Sequence, residues 1–152
     1  MKRIGKLFGL AALAVIMGLS LAVCGGSGSG GETNLFDGLN TGTPGGGALA
    51  IADLTETDFN TIRNAGGADA FQGWFIEYGA LHMVWANRTE AQFDALSAAV
   101  ANIRGPGSRY VEEDNGNIVF FGNDFELAFF NSGVSDDGFF IAANTIIAIF
   151  EG

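Results

Sequence analysis

Four kinds of side chain in this sequence could carry chemistry: one cysteine, one histidine, two runs of acids and a set of large aromatics. The histidine, His82, sits in "ALHMVW". As a general base or metal ligand it needs partners, and no second histidine exists to supply ligand spacing. A Ser-His-Asp arrangement would have to use His82, yet no G-x-S-x-G elbow occurs in the domain. His82 is therefore read as a packing or surface residue, and neither a metal nor a cofactor is expected.

The acids cluster as Glu112-Glu113-Asp114 and as Asp136-Asp137. Paired carboxylates can run glycoside hydrolysis, and grouped oxygens can hold calcium. Both runs, however, flank turn signals, "DNGN" and "SDDG", where Asp and Asn favour the turn itself. Trp74, Tyr78 and Trp85 are the candidate ligand-facing aromatics, a platform for a sugar or peptide. The competing reading spends them on the core, which a domain of this size must fill. Asn87-Arg88-Thr89 matches a glycosylation sequon, but Thr89 already reads as a helix cap.

Cys24 stands between an apolar run and a glycine-serine tract, "GLSLAVCGGSGSGG". With no second cysteine an internal disulfide is excluded. Upstream lie Lys2, Arg3 and Lys6, then an apolar run over residues 7–23. A charged start, an apolar middle and small residues at the end describe a secretory signal peptide. Leu21-Ala22-Val23-Cys24 resembles the lipobox of bacterial lipoprotein signal peptides, with Val23 where the family usually has Gly, Ala or Ser. That resemblance implies a diacylglycerol thioether on Cys24, which becomes the mature N-terminus, and a place in the cell envelope outside the cytoplasm. Two alternatives stay open: ordinary cleavage after Ser20-Leu21-Ala22, leaving a free thiol, or an uncleaved anchor.

Residues 24–49 are rich in Gly, Ser and Thr without hydrophobic period, the composition of a flexible tether. As a random coil, 26 residues reach roughly 25–30 Å. Leu35, Phe36 and Leu39 interrupt it and read as a short docking segment. The tract over residues 26–31 formally matches G-x-G-x-x-G, but no strand leads into it and no helix follows.

Charge narrows the function classes. Without residues 1–23, four arginines face seventeen acidic side chains, a net of −13 with no lysine. Such a field disfavours nucleic acid and anionic lipid surfaces, whose phosphates need Lys and Arg. It suits cationic partners, or solubility alone.

Residues 50–152 are one domain's length. "LTETDFNTIRNAGG" predicts a short helix capped by Thr55, with Phe59 and Ile62 inward and Gly66-Gly67 as the stop. "RTEAQFDALSAAVANIRGPG" predicts a second, with Thr89 and Gln92 as a capping box and Phe93, Leu96, Val100 and Ile103 as its stripe. The two starts align at a spacing of 34 residues and each precedes a hairpin, so a duplicated unit and simple convergence of capped helices both fit. The first hairpin is expected to turn at Gly79-Ala80 and the second at Asn115-Gly116. Phe125, Leu127 and Phe129 alternate with Glu126 and Ala128 as a half-exposed strand, and "GFFIAANTIIAIFEG" reads as one inner strand. The expected fold is α+β, in the order α-β-β-α-β-β-β-β: an antiparallel sheet of five to six strands with two helices on one face. The functional expectation is a membrane-tethered envelope lipoprotein acting as a non-enzymatic binding module, with the membrane and a second envelope protein as partners. A small Asp/Glu-dependent hydrolase and a purely structural tethered domain are the alternatives.

Overall fold

The computed structural model describes residues 33–34, 38–136 and 139–152. The expected signal segment, Cys24, Leu35, Phe36 and Asp137 lie outside the described residues. The fold is α+β. Among the described residues three α-helices, α1 (Gly46–Ile51), α2 (Glu56–Ala65) and α3 (Glu90–Arg104), accompany a six-stranded antiparallel sheet. Its strands are β2 (Phe71–Glu77), β3 (Ala80–Trp85), β4 (Ser108–Val111), β5 (Ile118–Phe121), β6 (Phe125–Phe130) and β9 (Thr145–Glu151), in the order β2-β3-β9-β6-β5-β4. A small second sheet joins β1 (Thr33–Asn34), β8 (Phe139–Ile141) and β7 (Val134–Asp136).

Local chemistry explains both main helices. Thr55 Oγ1 accepts from Asp58 N at 3.1 Å while Asp58 Oδ2 accepts from Thr55 N at 3.1 Å. Thr89 and Gln92 close the same reciprocal box, at 3.3 and 2.8 Å. Each box satisfies two backbone donors that a helix start otherwise leaves unpaired, which explains why both helices begin where the sequence places them. Phe59 and Ile62 of α2, with Phe93, Leu96 and Val100 of α3, then bury completely against one sheet face. Leu81, Met83 and Trp85 of β3, Ile146, Ala148 and Phe150 of β9, and Phe125, Leu127 and Phe129 of β6 answer them. Each such side chain contributes about 1.5–3 kcal/mol through burial, so this cluster dominates stability.

The opposite face departs from the expectation. Every residue of β6 is buried, so it is not half-exposed, and Glu126 retains only 4% of its accessibility. A second cluster accounts for this: Phe75, Val84, Ala128, Phe130 and Ile147 pack with Ile141 of β8, flanked by Leu39 and Val134. The long apolar C-terminal run is two strands rather than one. It breaks over residues 142–144, where Asn144 has a φ of 65°, so β8 joins the small sheet while β9 becomes one of the two central strands of the large one. The folded part also starts ahead of Ala50: Leu39 packs on the second cluster, and α1 begins at Gly46.

Both hairpin turns shift by a residue or more. Glu77 pairs with Ala80, leaving Tyr78 (φ 50°) and Gly79 (φ 70°) as central residues, the left-handed pair of a type I′ turn. Between β4 and β5 the Glu112 N–H bonds Asn117 O at 2.8 Å and Gly116 N bonds Glu112 O at 3.0 Å, a four-residue loop instead of a two-residue one. Asn115 Oδ1 accepts from Asn117 N, and Ser132 Oγ donates to Asn115 O, so the loop is shaped by a distant corner of the chain. The two helix–hairpin units lie at opposite edges of the sheet, each with its first strand outermost.

Candidate functional site

The three nominated aromatics are not brought together. Trp85 is fully buried, its indole N–H donating to Arg63 O at 3.1 Å and its ring edge-on to Phe71 at 5.4 Å. Trp74 packs partly buried against the helix-side cluster and donates its indole N–H to Gly42 O at 2.6 Å. Tyr78, 70% exposed, stands alone at a hairpin tip. Two of the three are thus spent on holding chain segments in place. Among the acids, Glu113 and Asp114 are solvated on the β4–β5 loop.

His82 sits where the strand alternation places it, opposite to Leu81, Met83 and Trp85, but it is 2% exposed. Its ring stacks on Phe75, 4.4 Å between centroids and 13° between planes, with Nδ1 3.2 Å from Ala80 O. Among the described residues Nε2 finds no partner. Burial outweighs the Ala80 hydrogen bond and pulls the imidazole pKa down to about 4, so it is neutral at pH 7.

Register then places a second titratable group in the same cross-strand row. His82 pairs Phe75 on one side and Ile149 on the other, and Ile149 pairs Glu126. Burial first, and the charge of Glu151 second, push the Glu126 carboxyl up to about 9; its Oε1 has no partner among the described residues. Glu77, on the same face, is also raised by burial. At neutral pH this row therefore holds an uncharged imidazole and a protonated acid, neither with a pKa near 7 where proton transfer is most effective. Among the described residues no group of three or more His, Cys, Asp or Glu converges to hold a metal. The sequence singled out His82 but passed over Glu126, because an acid in an alternating strand normally marks the wet face.

Arg104 was equally invisible in the sequence. At the end of α3 its buried guanidinium donates to Asp53 O at 2.9 Å and to Glu151 O, and pairs with Asp124 Oδ2 at 3.3 Å. It ties the turn after α1, the β5–β6 turn and the end of β9 to one point, which is structural work.

What remains open to a partner is an edge. On β2, Asn40 N donates to Trp74 O at 3.1 Å and Trp74 N to Asn40 O at 2.9 Å, so the chain itself crosses that side. On β4, every residue is exposed and no described residue pairs with the outer side. Tyr110 is 56% and Val111 45% exposed. Because Glu112 N points inward to Asn117, antiparallel alternation turns Ser108 and Tyr110 inward as well, and presents the N–H and C=O of Arg109 and Val111 outward. Arg109 itself is held against α3 by Glu90 at 2.5 Å and Asp94 at 3.1 Å. The arrangement can accept a further strand and offers that strand carboxylates at its borders.

Comparison with protein-family models finds no match, and searches among curated proteins and among solved structures find none either. Among the described residues no helix is long and apolar enough to cross a membrane.

Proposed function

We propose that the chain is a lipoprotein of the bacterial cell envelope, anchored through a lipid on Cys24 and facing outside the cytoplasm. Its acidic domain acts as a non-enzymatic binding module for another envelope protein. The lipobox-like Leu21-Ala22-Val23-Cys24 supports the anchor, and the glycine-rich residues that follow support a spacer between lipid and domain. The observation that carries the binding reading is the outer side of β4, which no described residue pairs with, in a sheet whose other edge is crossed by its own chain. Free strand edges are templates for pairing with another chain.

The test uses the full chain in its host. The protein should fractionate with membranes, and Cys24→Ser should move it to the soluble fraction. A photo-reactive residue in place of Ser108 on the open edge should give a discrete adduct that the same residue in place of Asn102, exposed on α3, does not. Soluble wild-type protein, or equal adducts at both positions, would contradict the reading.

A further inference from the structure

The β4 edge has features that specify what it takes. Arg109 and Val111 offer two outward N–H and two outward C=O groups, so a docked strand can form up to four backbone hydrogen bonds. Register divides the side chains above and below that edge. Arg109 pairs Phe120 and Val111 pairs Ile118, both in the helix-side cluster, so they lie on the α3 side; Ser108 and Tyr110 lie on the other. The α3 side carries Glu90 and Asp94, and the strand runs into Glu112, Glu113 and Asp114. One cation, Arg109, is thus already paired with two carboxylates on the α3 side, and three more acids follow the end of the strand.

We propose that β4 docks an extended segment of an envelope protein in which Lys or Arg alternates with apolar residues. The basic side chains lie toward α3 and its acids, and the apolar ones lie over Tyr110. Charge selects this occupant over a second copy of the chain, since each copy without residues 1–23 carries a net charge of −13 and edge-to-edge pairing would bring two acidic borders together. Alternation selects it over a merely basic tail, because a docked strand sends successive side chains to opposite faces. The proposal rests on the binding-module reading and refines its partner.

The probe is a nine-residue peptide of alternating lysine and valine, titrated into the full chain in detergent, with binding followed by amide NMR shifts. A peptide of the same composition with its lysines in one block is the control. The alternating peptide should shift the amides of residues 108–112 and bind at least tenfold tighter than the block peptide. Val111→Pro removes one outward N–H and leaves the inner ladder intact, and should weaken binding at least tenfold. Should that variant fold poorly, Glu113→Lys with Asp114→Lys, both exposed at the end of the strand, provides the second arm: it should weaken the lysine peptide and strengthen one of alternating glutamate and valine. No binding, equal binding of both lysine peptides, shifts confined to another face, or a dimer through β4 that excludes the peptide would each overturn the proposal. Peptide binding by a chain found without lipid would remove the tether alone. A lipidated chain that ignores the peptide would remove this inference alone.

Discussion

Replacing Glu126 by glutamine should change how stability depends on pH, and the structure gives both the window and the sign. Glu126 is 4% exposed, with its carboxyl raised to about 9 against 4.5 for the free group. A raised acid stabilises the fold fully below the unfolded value, and that contribution is lost as pH climbs toward the folded one. Between 4.5 and 9 the slope is about −1.4 kcal/mol per pH unit, so by pH 8 the loss is on the order of 5 kcal/mol. His82 works in the opposite direction: with its pKa lowered from 6.5 to about 4, it stabilises above 6.5 and loses that contribution as pH falls toward 4. The two slopes oppose each other from about 4.5 to 6.5, giving the wild type a plateau there and a decline above it. Glu126→Gln keeps the shape, removes the titration, and adds only a constant cost for a buried amide. Urea unfolding at half-unit steps from pH 5 to 9 would measure the difference. The variant's advantage should grow steadily from pH 5 to 9, and below pH 6.5 the variant should show the histidine slope that the wild type cancels. Parallel curves for the two proteins across that range would refute the burial argument for Glu126.

Two further perturbations address the packing. Arg104→Met preserves the apolar stem but strips the buried donors from Asp53 O, Asp124 and Glu151 O; it should cost about 3 kcal/mol, read as a lower urea midpoint, and loosen the end of β9 in hydrogen exchange. Gly66→Ala places a Cβ 2.5 Å from the Trp85 indole. It should cost roughly 1–3 kcal/mol and shift tryptophan emission to the red, whereas an unchanged spectrum and midpoint would contradict the close packing of α2 on Trp85.

The sequence revealed most where the determinants are local. The two capping boxes, the Phe59–Ile62 stripe and the stop at Gly66 depend on residues within a turn or two of each other, so α2 and α3 were legible to their ends. The open α+β sheet followed from the alternation of its strands. What was not legible depends on distant segments. Glu126 and Ala128 alternate like a wet face, and it is Val134 and Ile141 from beyond the strand, with Leu39 from far upstream, that join the cluster on that face. The β4–β5 loop carries an Asn-Gly pair suited to a tight turn, yet it spans four residues and is held at Asn115 by a hydrogen bond from Ser132. An aromatic side chain announces volume rather than destination. Trp85 went to the core, Trp74 to a clamp on residues 40–42, and Tyr78 to solvent. Arg104 carries no local signal, since its three carbonyl partners come from three separate turns and strand ends.

The central claim is that a lipid on Cys24 tethers an acidic binding domain to the envelope, and the intact mass of protein extracted from host membranes tests it most directly. The account predicts a chain starting at Cys24 and carrying a diacylglyceryl group, with or without a third acyl chain. An unlipidated mass, whether of the whole precursor or of a shortened soluble chain with a free Cys24 thiol, would contradict it.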